Sequence, residues 1–172
     1  MSDPVSSPGA TGFVCRLARG QVEQAGYFDL RRQIFCHEQG VFAGDDRDAI
    51  DDRAFGIVCL DPAGRVAGVV RIWEETPGLW WGGRLGVHPD HRTLAVLGRS
   101  LVRAAVGTAR AWGARQFRAT VQRANVAFFR RLHWRSLGEL DVHGQPHHLM
   151  EAELERYPLV HEPRPARVDR AA

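Results

Sequence analysis

Lysine is absent from this chain of 172 residues, in which all 23 basic residues are arginine. The protein therefore has no lysine side chain of its own that could be acylated. The formal net charge of +3 suits an anionic partner, but the 20 Asp and Glu residues leave no half of the chain strongly polycationic. A phosphorylated cofactor is a sufficient partner for such a charge.

Cysteine and long apolar runs are also scarce. Cys15, Cys36 and Cys59 are odd in number and lack C-x-x-C spacing, so the sequence predicts neither a disulfide framework nor a zinc site, and we expect the thiols to be reduced. No apolar run approaches the ~20 residues that span a bilayer. The first dozen residues lack the basic start and apolar stretch of a signal peptide, so we expect a cytoplasmic protein.

The composition, 44% hydrophobic and 25% charged, is that of one ordinary globular domain. We predict a flexible leader over residues 1–12, a single domain over 13–157 and a flexible Pro- and Arg-rich tail over 158–172. Periodicity and turn residues predict the order strand, helix, three strands, helix, strand, helix, two strands. That order fits an α+β or layered α/β fold, in which helices cover a mixed sheet.

The segment from Leu79 to Leu101 predicts a strand that passes through a short turn into a helix. Pro89 stops the apolar run 79–87, because proline cannot donate to a strand ladder. Apolar residues then recur at helical spacing, at Leu94, Leu97, Leu101, Val102 and Ala105. The unpaired N–H groups and the dipole of a helix start suit a phosphate, although many α/β proteins have such a junction and bind nothing there.

The residues of this junction resemble the acetyl-CoA motif of the GNAT N-acetyltransferases, usually written V-x-P-x-x-(R/Q)-x-x-G-x-(G/A). Val87, Pro89 and Arg92 match it. Ala95 stands at the first glycine and Leu97 at the second small position, which Gly98 restores if the loop carries one extra residue. The resemblance extends over the predicted order of elements from about residue 13 to 153, and it implies the GNAT fold.

The resemblance also implies how acetyl-CoA would bind as co-substrate, with no metal. Backbone N–H groups of Leu85, Gly86 and Val87 would hold the carbonyl oxygen, and Gln122 the pantetheine amides. The phosphates would lie at the turn and helix start, at Arg92, Ala95, Leu97, Gly98 and Arg99. Phe129 stands where many relatives have a tyrosine that protonates the thiolate. Since a thiol has a pKa near 8.5, we expect the thiolate to leave without that acid.

A second pattern is similar to the acyl-homoserine-lactone synthase branch of the fold. In that branch the matching positions lie around the acceptor site; here they are Arg31, Phe35, Asp48, Asp51, Arg71 and Arg84. Trp81 replaces a carboxylate of that branch, which favours a plain acetyltransferase, and either Trp80 or Trp81 is expected to line the acceptor pocket. Alternatively, these charges form an Arg–Asp network that orders a loop. Longer segments resemble small bacterial nitrogen-starvation N-acetyltransferases associated with nitrilase genes.

The general base is the least defined part of the predicted site, because Trp81-Gly82-Gly83 stands where many relatives carry a glutamate. An alkyl amine has a pKa near 10, so a base is needed at neutral pH. The candidates are Glu38, Asp51, Glu74 and Glu75, with His37 and His88 behind them. Each of these side chains is alternatively solvated or ion-paired. We favour Glu38, since the glycine after it suits a loop folded over a pocket.

The sequence therefore predicts an acetyl-CoA-dependent N-acetyltransferase acting on a small amine, which the acidic segment 37–52 suggests is cationic. A CoA-binding sensor without catalysis is the alternative, because the strand glutamate and helix tyrosine are both absent. A Cys36 acyl-enzyme, a metal held by His143, His147 and His148, and an arginine stripe binding nucleic acid are less favoured. We expect acetyl-CoA and a small amine as partners, and no membrane or nucleic acid. A second copy of the chain is also a candidate partner, since small GNAT domains often form homodimers.

Overall fold

The structure, a computed structural model, describes residues 12–93 and 95–166. Leu94, residues 1–11 of the predicted leader and residues 167–172 of the predicted tail lie outside the described residues. No helix in the described ranges is long and apolar enough to cross a membrane.

In the described part of the chain, seven strands and three α-helices follow one another in the predicted order. The strands are β1 (Val14–Leu17), β2 (Phe55–Leu60), β3 (Val66–Thr76), β4 (Leu79–Val87), β5 (Gln116–Gln122), β6 (Trp134–Val142) and β7 (Gln145–Ala152). The helices are α1 (Gly20–Arg32), α2 (Ala95–Ala111) and α3 (Val126–Arg131). The sheet has the order β1-β2-β3-β4-β5-β7-β6 and is antiparallel except between β4 and β5. The predicted mixed sheet covered by helices is confirmed.

Each face of the sheet has its own apolar core, as the alternation along β2 shows. Ile57 and Cys59 join the core under α2 and α3, whereas Val58 and Leu60 join the core under α1. Successive side chains of a strand point to opposite faces, so a strand buried on both faces needs an unbroken apolar sequence. The two cores hold β2 and β3 in the middle of the molecule, and α1 and α2 lie on opposite sides of them.

The end of the first helix differs from the prediction, since the roughly helical spacing of apolar residues over 21–35 predicts an ordinary helix up to Phe35. Beyond Arg32 the chain continues in wider π-helical turns over Gln33–Glu38, and the N–H of Gln39 donates to the carbonyl of Ile34 at 2.9 Å. π-Helical turns are often found at functional sites because they re-aim the side chains that follow. Here the wider turns contain Phe35 and Glu38.

The prediction of reduced thiols is wrong for two of the three cysteines. Cys15 and Cys59 lie directly opposite each other on the antiparallel pair β1–β2 and form a disulfide. A separation of 44 residues hides this pairing in the sequence, because only the strand register brings the two side chains together. Cys36 is a free cysteine.

The segment 158–166, which the sequence assigns to a flexible tail, lies against α2. The N–H of Val160 donates to the carbonyl of Gly107 at 3.1 Å, and the indole N–H of Trp112 donates to the carbonyl of Glu162 at 2.7 Å. A Cβ at Gly107 would lie 2.6 Å from the carbonyl oxygen of Pro158, so this glycine allows the close approach. The segment that contacts the domain therefore extends beyond Tyr157.

Candidate active site

The candidate site is a cavity of about 1320 Å³ where β4 and β5 separate. The two parallel strands pair only over Leu79–Trp81 and Gln116–Arg118. Farther along, residues 82–85 of β4 and 119–122 of β5 both line the cavity. Backbone groups that a paired sheet would consume are therefore left facing a space large enough for a ligand.

A β-bulge in β4 lies within this opening. Val69 pairs with Gly86 and Arg71 pairs with Gly83, so two residues of β4, Arg84 and Leu85, lie opposite one residue of β3. Arg84 has a φ of 52°, in the left-handed region that non-glycine residues rarely adopt. The bulge interrupts the ladder at the position where the sequence predicts the carbonyl-binding N–H groups, and both bulge residues line the cavity.

The predicted cofactor residues fall into two groups. The side chains of Leu85, Gln122 and Phe129 line the cavity. Leu97, by contrast, is fully buried in the core under α2, so only its backbone could contact a ligand. A Cβ at Gly86 would lie 2.7 Å from Cδ1 of Ile34. This glycine therefore leaves room for Ile34, which follows α1, and it also leaves the backbone of β4 uncovered by a side chain.

The start of α2 carries the remaining predicted phosphate-binding residues. Ala95 and Arg99 are exposed, and among the described residues Phe128 is the one that lies near the position of a Cβ at Gly98. The Arg92 side chain donates from Nε to the carbonyl of Val87 at 3.0 Å, and both of its Nη atoms contact the carboxylate of Glu38. The hydrogen bonds from Arg92 lower the pKa of Glu38.

A closed ring of alternating charges lies at the other end of the opening; we call it the charge ring. Its six ion pairs measure 2.6 to 3.4 Å and join, in order, Arg31, Asp46, Arg84, Asp48, Arg71 and Asp51. Each carboxylate contacts two arginines and each arginine contacts two carboxylates. The ring ties the acidic segment to α1, β3 and β4, so the Arg–Asp network anticipated as the alternative reading is present.

Burial and hydrogen bonding oppose each other at Asp51. Burial alone would raise its pKa, but hydrogen bonds from Arg31 and from the N–H of Asp48 outweigh burial and hold the pKa at about 2. The hydrogen bonds from Arg71 likewise lower the pKa of Asp48. Both carboxylates are therefore ionised and fully engaged at neutral pH, and neither lines the cavity.

Aromatic side chains line the end of the cavity next to the charge ring. Trp81 and Trp73 are stacked at 15° with ring centroids 6.4 Å apart, whereas Trp80 is fully buried in the core. Phe35 and Phe42 also line the cavity, and Phe42 contacts the ring of His143 at 5.5 Å across the opening. Of Trp80 and Trp81, Trp81 is thus the one that lines the cavity, together with Trp73 and Trp134.

Several predicted residues do not meet in the cavity. Arg31 is completely buried, and Glu74 accepts a hydrogen bond from the N–H of Gly78 and pairs with Arg164 at 2.9 Å, outside the lining. The charged side chains that do line it, among the described residues, are Arg71, Arg84 and Arg123. Of the predicted acceptor-site residues, the structure brings Phe35, Arg71, Trp81 and Arg84 together in the lining.

The histidines of the β6–β7 hairpin make separate contacts. His147 Nδ1 lies 2.9 Å from the carbonyl oxygen of Gln145, and His148 Nδ1 lies 2.7 Å from Oγ of Ser136. No group of three or more His, Cys, Asp or Glu side chains in the described residues could hold a metal ion.

Sequence reasoning missed Asp46 and Phe42. Asp46 is nearly fully buried and joins Arg31 to Arg84, but nothing distinguished it from the other acidic residues of its segment. Phe42 was hidden in the glycine-containing stretch after α1, where a single aromatic residue carries no periodic signal.

Comparison with known proteins identifies the class. The Acetyltransferase (GNAT) family model matches residues 23–134, and the chain belongs to this family. No curated protein matches the chain at a significant level.

Solved structures share the fold at low sequence identity. A proposed N-acetyltransferase from Lactobacillus plantarum is 20% identical, with a TM-score of 0.75 over 84% of this chain and 99% of that one. An acyl-CoA N-acyltransferase from Pseudomonas aeruginosa is 18% identical, with a TM-score of 0.65 over 81% and 98%. A chimera of the spermidine N-acetyltransferase SpeG from Vibrio cholerae is 16% identical, with a TM-score of 0.64 over 86% and 98%.

Proposed function

We propose that this protein transfers an acetyl group from acetyl-CoA to the amine of a small molecule by direct attack in a ternary complex. The observation that carries the proposal is the separation of β4 from β5 at the β-bulge of Arg84 and Leu85, which opens onto the cavity. Membership of the family supports acyl transfer, and the acetyl donor and the amine acceptor are our inference.

The chain's own residues fit such a co-substrate. Acetyl-CoA, when bound, supplies an acyl group activated as a thioester. Backbone N–H groups at Leu85, Gly86 and Val87 are proposed to stabilise the carbonyl oxygen, while Gln122 and Phe129 flank the acyl-bearing arm. The start of α2 is proposed to hold phosphates through Ala95, Leu97 and Gly98, aided by Arg92 and Arg99.

The acceptor nitrogen must be unprotonated to attack. Glu38, Asp51 and Glu74 stay predictions as general base, but each is engaged in an ion pair, and none lines the cavity. His147 lines it, and its Nδ1–H can donate to the Gln145 carbonyl while Nε2 accepts a proton. We therefore add His147 to the candidate bases, acting directly or through one water.

Calorimetric titration with acetyl-CoA, followed by a thiol-release assay against a panel of amines, tests the proposal. We expect binding and acceptor-dependent thiol release. Binding without turnover of any amine would favour the CoA-binding sensor, and absence of binding would overturn the proposal.

The panel must include polyamines, because one structural neighbour is a spermidine N-acetyltransferase. A cytoplasmic location stays part of the proposal, although the Cys15–Cys59 disulfide is more typical of oxidising compartments. A homodimer is part of it as well, and sedimentation of the full chain checks the dimer.

A further inference from the structure

Arg71 has a buried donor that the charge ring does not use. The side chain is 3% exposed, and its two Nη atoms are occupied by Asp48 and Asp51. Among the residues that the structure describes, its Nε–H has no hydrogen-bond partner. A buried polar group without a partner is costly, and the described residues contain three such atoms, Asp46 Oδ1, Arg71 Nε and Trp80 Nε1. Of these three residues only Arg71 lines the cavity, so its Nε–H is the one that a ligand in the cavity is placed to satisfy.

The space beside this donor is kept open by a glycine. A Cβ at Gly83 would lie 3.7 Å from Arg71 Nε and 3.4 Å from Cζ3 of Trp73, at ordinary contact distances. Gly83 and Arg71 both line the cavity. A ligand oxygen above Gly83 would therefore meet the free N–H of Arg71 next to an indole ring.

The charged side chains around this space do not favour an acceptor that carries an ammonium group in addition to the reacting amine. All formally charged side chains in the described lining are arginines, namely Arg71, Arg84 and Arg123. The nearest carboxylates, those of the charge ring, are each held by two arginines. A cationic acceptor, which the acidic segment suggested in the sequence, would find no unpaired carboxylate in this lining. The ring arginines Arg71 and Arg84 are likewise paired with carboxylates, so an anionic group would be bound by the unused Nε–H of Arg71 and by Arg123.

The adjacent wall is flat and apolar. Trp81 and Trp73 stack nearly parallel, and Phe35 and Phe42 line the same end of the cavity. Such a wall suits an aromatic or similarly flat apolar group, which can stack on an exposed ring face.

We propose that the acceptor is an amine that also carries a carboxylate and a flat apolar group, as an aromatic α-amino acid does. The carboxylate accepts the Nε–H of Arg71 above Gly83, and the flat group lies against Trp81. In the transfer, the neutral amine nitrogen forms a bond to the acyl carbon. The carbon–sulfur bond breaks with its electron pair going to sulfur, one amine proton is lost to the base, and the sulfur takes up a proton as the thiol. This inference rests on the proposed acetyl transfer and names its acceptor class.

Matched acceptor pairs test the inference. Thiol release is measured with phenylalanine against 2-phenylethylamine and with tryptophan against tryptamine, with spermidine as the polyamine. We expect kcat/KM to be at least about tenfold higher for the member of each pair that carries the carboxylate, since its partner leaves Arg71 unsatisfied.

Gly83→Ala tests the position of the carboxylate, because the new methyl group fits the strand and fills the space before Arg71 Nε. We expect the KM of phenylalanine to rise about tenfold and that of 2-phenylethylamine to change less than about twofold. The Kd for acetyl-CoA should stay constant. Arg53→Gln, which removes an exposed arginine paired with Glu75 outside the cavity, is the control and should leave both KM values unchanged.

The outcomes separate this inference from the proposed function. Preferred turnover of spermidine or of the decarboxylated amines would overturn the acceptor class and leave acetyl transfer intact. Acetyl-CoA binding with no turnover of the amino acids would also overturn it. Failure to bind acetyl-CoA would instead overturn the proposed function. If Gly83→Ala does not fold, the matched pairs on the unaltered protein still decide the question.

Discussion

Two assemblies of arginine and carboxylate flank the opening between β4 and β5, and they differ in burial. In the charge ring the side chains of Arg31, Asp46 and Arg71 are 0%, 1% and 3% exposed, and Asp48, at 38%, is the most exposed member. In the pair at the start of α2, Arg92 and Glu38 are 41% and 35% exposed. Ion pairs between arginine and carboxylate therefore have two roles here. Those of the largely buried charge ring hold α1, β3, β4 and the acidic segment together, whereas Arg92 and Glu38 can exchange each other for water or an anion.

The physical reason is the cost of separating the charges. A buried ion that loses its partner keeps its desolvation penalty, whereas an exposed ion is rehydrated at once. Arg92 can therefore leave Glu38 for a phosphate at little cost, but Asp46 cannot leave Arg31. The following variants test this difference, in order of decreasing effect.

Replacing Arg31 by methionine should have the largest effect. Arg31→Met leaves Asp46 and Asp51 each with one arginine fewer in a buried site, and we expect a loss of about 3–5 kcal/mol in the free energy of unfolding. Urea denaturation measures it. Arg32→Met is the matched control, since Arg32 is 40% exposed and lies 3.7 Å from Asp29, and it should cost less than about 0.5 kcal/mol. Equal losses of unfolding free energy in the two variants would show that the charge ring does not stabilise the fold.

Low pH should lower the stability of the folded protein, because protonation of Asp51 removes its ion pairs in the charge ring. Its pKa in the folded protein, about 2, lies below its ordinary value of 3.8. Asp51 therefore adds stability that is complete above pH 4 and is lost as the pH falls through 2, about 2 kcal/mol in total. Urea denaturation between pH 5 and pH 2 measures this, and Asp51→Asn should flatten the dependence. If the unfolding free energy of that variant depended on pH as in the unaltered protein, Asp51 would not contribute to the stability of the charge ring.

Replacing Glu38 by glutamine should have the smallest effect. Because Glu38 is ionised, exposed and held by Arg92 outside the cavity lining, we expect Glu38→Gln to lower kcat by less than about tenfold and to leave stability nearly unchanged. The Kd for acetyl-CoA should fall, since Arg92 no longer has a competing carboxylate, whereas Arg92→Gln should raise it. Thiol release and calorimetry measure these quantities. A loss of about 10² or more in kcat would instead restore Glu38 as the general base.

The elements were well predicted from the sequence, because their signals are local. The strand that Pro89 ends and the helix that carries Leu97 and Leu101 follow from alternation, periodicity and one proline. The end of α1 was less predictable, since a π-helical turn at Gln33–Glu38 uses the same apolar residues as an ordinary helix. The Cys15–Cys59 pair was missed because it depends on strand register.

The candidate site was predicted as a set of residues and not as an arrangement. Arg71, Arg84, Phe35 and Trp81 do line the cavity, but the same motif also contained Arg31 and Asp51, which lie in the charge ring outside the lining. Sequence spacing cannot tell whether an arginine faces a cavity or a buried aspartate. Its charge is stabilised in both places, by water or a ligand anion in the cavity and by the carboxylate in the ion pair.

The sequence by itself determined the order of strands and helices, the strand–turn–helix junction at Pro89 and the resemblance that led to the family, since each is carried by residues close together in the chain. Only the tertiary structure decided which charges are consumed and which donor is left over. Asp46, Asp48 and Asp51 come from one loop, whereas Arg31, Arg71 and Arg84 come from a helix and two strands. Within the described residues, their pairing leaves Arg71 Nε without an acceptor beside Gly83, because electrostatic partners are determined by distance in the folded chain.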